Sequence, residues 1–133
     1  MIPLSRLAGA IAAASFAVTA VTAFAAETRP YDAQSFAAAQ AAGSPIVVEI
    51  SAPWCPTCKA QKPIIENLAK SDAYKDLVIF EVDFDSQKDA VRSLDARMQS
   101  TLIAFDGDKE TARSVGDTKP DSIAALFQSA IAQ

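Results

Sequence analysis

The chain contains two cysteines, separated by two residues in a Cys-Pro-Thr-Cys sequence. A β-branched, mostly apolar run over 46–51 precedes Cys55, with Glu49 as its exception. A helix-like run over 59–70 follows Cys58, which places the cysteines at the first turn of a helix. Unpaired N–H groups and the helix dipole favour a thiolate there, so the thiol becomes a nucleophile near neutral pH. The second thiol can then capture the mixed disulfide that the first one forms. The predicted chemistry is dithiol–disulfide exchange.

Two other uses of the cysteines are weaker alternatives. A disulfide that closes so short a loop constrains the unfolded chain little, so it stabilises the fold little. A structural zinc site needs about four ligands, and the chain has no second cysteine pair and no histidine. The absence of histidine also excludes Ser-His-Asp triads and histidine acid–base catalysis.

The N-terminal segment has the composition of a secretory signal peptide. Arg6 is the only charge before Glu27, residues 7–24 are apolar or small, and an A-x-A motif ends at Ala25. We therefore expect residues 1–25 to be removed, with cleavage after Ala26 as the second choice, which leaves 26–133 as one domain. An uncleaved membrane anchor is the alternative, because the apolar run approaches the length of a spanning helix.

Charge argues against a nucleic-acid partner. The chain has 12 basic and 16 acidic residues, a net charge of −4, and no basic cluster. We expect a monomer without a cofactor.

Patterns of apolar and turn residues predict alternating helices and strands after a short linker at 27–30. Predicted helices cover 31–42, 59–70 and 87–96, predicted strands cover 46–51, 77–83, 101–105 and 110–115, and a last helix has an apolar stripe at Ile123, Leu126, Phe127, Ala130 and Ile131. Asp32 is a predicted N-cap, and Thr118 with Asp121 resembles a capping box. Gly107 is expected in a hairpin turn. The first strand–helix–strand unit should have parallel strands.

This order of elements, with Trp54 before the cysteine pair, resembles the thioredoxin superfamily over nearly the whole mature chain. Pro63 and Gly116 match positions of that family. The resemblance implies an α/β fold, a central mixed four-stranded sheet with helices on both faces. The expected strand order is 77–83, 46–51, 101–105, 110–115.

The resemblance also implies roles for site residues. Cys55 would be the exposed attacking thiolate and Cys58 the more buried resolving thiol. Trp54 would cover the site as an apolar surface that faces the partner. Glu49 falls where thioredoxins keep a buried carboxylate, whose raised pKa would let it exchange a proton with Cys58. The alternative is an edge-strand acid that points to solvent.

Two positions depart from thioredoxins near the cysteines. Pro56 and Thr57 separate the cysteines. A Cys-Pro-x-Cys sequence is similar to those of glutaredoxins and periplasmic disulfide-forming oxidases, and Thr57 leaves the redox direction open. Ser100 stands where thioredoxins have a cis-proline beside the disulfide. We expect a trans bond between Gln99 and Ser100 or a locally strained loop. The loop that ends at Thr101 would offer its backbone to an extended client.

Glu81 is a third departure, because thioredoxins have a lysine there. If Glu81 is buried beside Glu49, the two carboxyl groups should titrate as a coupled pair. The alternative is that Glu81 points to solvent.

Together with the signal peptide, the resemblance implies an exported, periplasmic thiol–disulfide oxidoreductase. The mature domain has no room for the large helical insertion of disulfide-forming oxidases, so we expect it to reduce protein clients. Similar exported thioredoxins draw electrons from a membrane-embedded thiol reductase, which is the implied donor. A Cu(I) carrier is the alternative, with Cys55, Cys58 and Met98 as soft ligands. A non-catalytic module that only holds clients is a third interpretation.

Overall fold

A computed structural model of the chain describes residues 25–132. The strands are β1 Glu27–Pro30, β2 Pro45–Ser51, β3 Val78–Asp83, β4 Thr101–Asp106 and β5 Lys109–Val115. The helices are α1 Ala33–Ala41, α2 Pro56–Ala69, α3 Lys88–Ser93 and α4 Pro120–Ile131. The predicted signal peptide lies outside the described residues except for Ala25. Within 25–132, none of the helices has the length and apolar character needed to cross a membrane.

The strands form one mixed sheet in the order β1-β3-β2-β4-β5. β1 and β2 run parallel to β3, and β4 runs antiparallel to both β2 and β5. The predicted order of the four main strands is therefore confirmed, as are the parallel strands on either side of α2.

The prediction of a linker at 27–30 and of four strands is wrong, since the sheet has five strands. β1 pairs with the outer edge of β3, where the Glu27 N–H donates to the Leu77 carbonyl at 3.0 Å. The Arg29 guanidinium lies 5.5 Å from the centre of the Phe80 ring. A short, polar edge strand that ends in Pro30 carries no alternating apolar signal, so the sequence pattern does not reveal it.

Helices cover both faces of the sheet, as expected. Side chains of Ile46, Val48 and Ile50 pack on the face covered by α1 and α3, while Val47 packs on the face covered by α2 and α4. The period of two along β2 places Glu49 on the same face as Val47, beneath α2.

The N-terminal cap of α1 is as predicted, whereas that of α4 differs from the prediction. Asp32 caps α1 as predicted, accepting from the Ser35 N–H at 2.9 Å. The prediction of a capping box at Thr118 and Asp121 is wrong. The helix α4 begins at Pro120, and its N-cap residue, Lys119, makes no side-chain hydrogen bond to the helix. Asp117 stabilises the start of α4 instead, because its carboxylate accepts hydrogen bonds from the Lys119 N–H and from the Ser122 hydroxyl. The apolar stripe of α4 is confirmed, with Ile123 and Phe127 fully buried.

Gly107 closes the β4–β5 hairpin with φ of +59°, the conformation that was predicted. A Cβ at this position would lie 3.3 Å from the Cα of Gly43, so the turn has little room for a side chain. After the hairpin, the Gly116 N–H donates to the Ser100 carbonyl in the loop before β4.

Candidate active site

The two cysteines form a disulfide at the start of α2, with their Cα atoms 5.3 Å apart. The helix begins at Pro56, three residues earlier than predicted, and Cys55 is its N-cap. The Cys58 N–H donates to the Cys55 sulfur at 3.1 Å. Pro56 suits the first helical position because its missing N–H would have no partner there. The cysteines therefore lie at the helix N-terminus, where the thiolate is favoured.

Burial of the sulfurs differs from the expectation. Cys55 is 0% exposed and Cys58 is 5% exposed, so the prediction of an exposed Cys55 beside a more buried Cys58 is wrong for the disulfide form. The Cys55 sulfur is drawn into the helix start by its bonds to the Cys58 sulfur and amide, and both cysteines pack with Ala52 and Phe84. A client must therefore displace part of the packing of Ala52 and Phe84 on the sulfurs, or react after reduction has opened the disulfide.

Glu49 lies behind the disulfide and is 7% exposed. Burial, followed by the negative charge of Glu81, raises its pKa to about 7, while the Lys62 ammonium opposes the shift. The buried, central-strand placement of Glu49 agrees with the functional interpretation.

Two cavities adjoin Glu49. One, of about 230 Å³, lies against α2 and β1, and the other, of about 300 Å³, reaches Cys58. Glu49, Lys62 and Glu81 line both cavities. Glu81 itself is exposed, so the solvent-facing alternative is confirmed and a buried carboxyl pair is excluded. Glu49 and Cys58 thus line one cavity, with Lys62 and Glu81 on the same lining.

Ser100 occupies the loop beside the cysteines with φ of +57°, and the described residues contain no cis peptide bond. Both the trans bond and the local strain that the sequence suggests are therefore present. The Ser100 carbonyl accepts from the Gly116 N–H at 2.9 Å and from Gln61 Nε2 at 3.2 Å. The Ser100 hydroxyl donates to the Gln99 carbonyl, and the Thr101 hydroxyl donates to the Met98 carbonyl, each at 2.6 Å.

This conformation gives a stability prediction. Because a left-handed backbone disfavours any Cβ, we expect Ser100→Gly to be more stable than Ser100→Ala by about 1 kcal/mol. Urea denaturation of both variants measures the difference. Ser129 in α4 is the matched control, since Ala should exceed Gly there. Equal or greater stability of Ser100→Ala would show that Ser100 is not left-handed.

Three large apolar side chains are exposed in the described residues: Trp54, Met98 and Val115, with exposed fractions of 56%, 51% and 57%. Trp54 adjoins Cys55, Met98 belongs to the Ser100 loop, and Val115 is the register partner of Thr101 at the end of β5. We call these three side chains the apolar rim. The exposure of Trp54 agrees with the partner-facing role that was predicted for it. Its indole N–H donates a hydrogen bond to the Asp85 carboxylate at 2.7 Å.

The remaining predicted client-binding residues lie in the same region. Pro56 is exposed and Thr57 half-buried at the start of α2, and Gln99 is half-buried. Thr101 is 1% exposed, so its side chain faces the interior. Whether these residues touch a client stays a prediction.

Two residues near the cysteines were missed at the sequence level. Gln61 is fully buried, and the helical spacing of Gln61, Ile65 and Leu68 could have placed it on the apolar face of α2. Asp85, which holds the Trp54 ring, is far from it in sequence and has no local signal. Within 25–132, no group of three or more Cys, His, Asp or Glu side chains could hold a metal ion.

Comparisons with known proteins agree with this geometry. The family model described as Thioredoxin matches residues 27–129. A thioredoxin of Chlamydia trachomatis is 33% identical over 94 residues, which are 71% of this chain and 89% of the relative. Thioredoxin Asp f 29 of Aspergillus fumigatus is 31% identical over 87 residues, 65% of this chain and 79% of the relative.

A solved structure gives the same result. The crystal structure of Trxlp from Edwardsiella tarda has a TM-score of 0.74 at 38% identity and covers 76% of this chain and 98% of that one. The match to the family model includes the cysteine pair and the strands around it. The chain therefore belongs to the thioredoxin family and is a protein-disulfide oxidoreductase.

Proposed function

We propose that this protein is an exported thioredoxin that reduces disulfides in protein clients. The observation that carries the proposal is the Cys55–Cys58 pair at the N-terminus of α2, backed by the buried Glu49. In the reduced protein, the Cys55 thiolate attacks a client disulfide, forms a mixed disulfide and releases one client thiolate. Cys58 then attacks the Cys55 sulfur, which releases the second client thiolate. Two electrons pass to the client, and the Cys55–Cys58 disulfide is formed.

Electrostatics favours Cys55 as the attacking group. The Cys55 sulfur accepts the Cys58 N–H at the helix N-terminus, which favours its thiolate. Cys58 instead faces a cavity that is lined by acidic side chains, Glu49, Glu81 and Asp83, and by the ammonium groups of Lys59 and Lys62. Its sulfur has no such hydrogen bond at the helix N-terminus, so Cys58 needs a nearby base to lose its proton.

Glu49 supplies that base. With a pKa of about 7, its carboxyl group is present in both protonation states near neutral pH. The carboxylate can take the proton of Cys58 during resolution and return it through the shared cavity.

The apolar rim and the Ser100 loop supply the client surface in this proposal. A client segment with an apolar side chain can pack on Trp54, Met98 or Val115 while its cysteine reaches the disulfide. Backbone groups of the loop from Gln99 to Thr101 would pair with the extended client chain.

The absence of a large helical insertion in the described residues supports reduction, rather than oxidation, of client proteins. Apart from one 3₁₀ turn at Asp72–Tyr74, the described residues contain only the helices and strands named above, without a large helical insertion between them. We expect a reduction potential near −270 mV, as in thioredoxin, rather than about −120 mV, as in strong oxidants. Equilibration with glutathione or dithiothreitol buffers, followed by thiol counting, measures it. A potential near the oxidant value would contradict the reductase proposal and leave oxidation of clients in its place.

Export to the periplasm rests on the leader-like sequence of residues 1–25. Processing after Ala25 or Ala26 would leave the domain that begins with β1. An exported reductase needs electrons from across the membrane, so the proposed donor is a membrane-embedded thiol reductase. Cell fractionation with N-terminal sequencing tests the export; unprocessed protein in the cytoplasm would contradict it.

The Cu(I)-carrier alternative stays a prediction. In the disulfide form both sulfurs are bonded to each other, and Met98 is an exposed side chain of the apolar rim. The structure therefore adds no observation that favours copper over thiol–disulfide exchange.

A further inference from the structure

Gln61 is a fully buried polar residue on α2, 0% exposed and three positions after Cys58. Its Nε2 donates to the Ser100 carbonyl at 3.2 Å and to the Asp117 carbonyl at 2.8 Å. One carboxamide thus ties the helix that bears the cysteines to two loops that are distant in sequence. Both loops belong to the proposed client surface, because Met98 and Val115 lie at their ends.

The other side-chain hydrogen bonds near these carbonyls are short-range ones, within the loop before β4 or between Asp117 and the start of α4. Ser100 holds a left-handed backbone without a proline ring, and Gly116 also has a positive φ, +71°. The Gly116 N–H donates to the same Ser100 carbonyl that Gln61 contacts. Gln61, Ser100, Gly116 and Asp117 therefore form one hydrogen-bonded network that joins α2 to the loop before β4 and the loop after β5.

The orientation of the carboxamide is determined by these partners. Both groups that face Nε2 are carbonyl oxygens, which only accept hydrogen bonds, so the reversed orientation would place three oxygens together. Gln61 Oε1 is buried and has no donor among the described residues. A buried acceptor without a donor lowers stability, and an apolar side chain would avoid that penalty on this face of α2. The donor function of the side chain therefore accounts for a glutamine at this position.

We propose that Gln61 is a positioning residue for client binding, which holds the Ser100 and Asp117 loops in register with the disulfide. It acts through the loop carbonyls and touches neither client nor sulfur. This inference rests on the proposed function, because it requires that protein clients bind across the Ser100 and Asp117 loops. It predicts that loss of the amide weakens binding of protein clients, while the chemistry at the sulfurs is retained.

Gln61→Met tests this, because methionine keeps the length and flexibility of the side chain and removes the donor. We expect KM for insulin to rise about fivefold with kcat nearly unchanged, the pattern of lost binding that is shared by ground and transition states. Turnover of the small disulfide 5,5′-dithiobis(2-nitrobenzoate), which does not span the loops, should be unchanged. By NMR, the Gly116 amide should exchange its hydrogen about tenfold faster, while amides of β2 keep their rates.

Asn67→Met is the matched control, a carboxamide on the exposed side of the same helix that should leave every readout unchanged. An unchanged KM for insulin with an unchanged Gly116 exchange rate would overturn the inference, as would a fall in kcat alone. If the methionine variant does not fold, the wild-type protein decides: the Gln61 Nε2 hydrogens should exchange more slowly than those of Asn67, and equal rates would overturn the network. A wild-type protein that does not reduce insulin would instead contradict the proposed function, while the exchange rates would still decide whether Gln61 restrains the loops.

Discussion

Replacement of Cys58 by serine is expected to stop turnover and to leave protein clients covalently attached to Cys55. The Cys55 sulfur keeps its place at the helix N-terminus and still attacks a disulfide, but no thiol follows to release the client. We expect multiple-turnover reduction of insulin to fall by about 10³-fold or more. Reduced Cys58→Ser protein mixed with insulin should give a mixed disulfide, visible by mass spectrometry and removed by dithiothreitol.

Cys55→Ser is the matched control and tests the assignment of roles. In the disulfide form Cys58 is slightly more exposed than Cys55, 5% against 0%, whereas the hydrogen bond from the Cys58 N–H to the Cys55 sulfur favours Cys55 as the nucleophile. We expect no stable adduct with Cys55→Ser. Adducts that form only with this variant would show that accessibility outweighs electrostatics and that Cys58 attacks first.

The main elements of the fold follow from local patterns in the sequence. The strand at 46–51 is a mostly apolar, β-branched run, and the stripe of α4 has helical spacing, so both could be recognised without any structure. The cysteine pair and Glu49 could be placed by their position relative to these elements. β1 could not, because an edge strand is held by backbone pairing to β3 and needs no apolar side chains.

Features that depend on distant contacts were not available from the sequence. The complete burial of Cys55 arises from packing with Ala52 and Phe84, and the network of Gln61 joins residues up to 56 positions apart. The capping box at Thr118 failed because Asp117, one residue earlier, supplies the hydrogen bonds to the start of α4. Local patterns thus predict the elements, while the loops around the disulfide are determined by tertiary hydrogen bonds.

Replacement of Glu49 by glutamine is expected to make the protein more stable and less active. A carboxyl group with a pKa of about 7 when folded and 4.5 in its reference state favours folding fully below about pH 4.5, and this contribution is lost as pH rises through about 7. Glutamine stays neutral at every pH. We therefore expect similar stabilities near pH 4 and an advantage of about 3 kcal/mol for the variant above pH 8, measured by urea denaturation.

The same substitution removes the base that serves Cys58. Near pH 7 we expect resolution of the mixed disulfide to slow by about 10²-fold in stopped-flow single turnovers. The difference should shrink above about pH 8.5, where a cysteine ionises without help. In the wild-type protein the rate should rise through about pH 7 as Glu49 ionises, and this rise should be absent from the variant.

Glu81→Gln separates the proton-transfer role of Glu49 from the general effect of charge near the disulfide. Glu81 is exposed and its charge raises the pKa of Glu49, so its removal should shift the rise in rate to lower pH and leave the maximal rate unchanged. General damage to the fold would lower stability and activity together, whereas Glu49→Gln should move them in opposite directions. Equal rates and equal pH dependence of stability in Glu49→Gln and wild type would show that this buried carboxyl group neither carries the proton of Cys58 nor destabilises the fold at high pH.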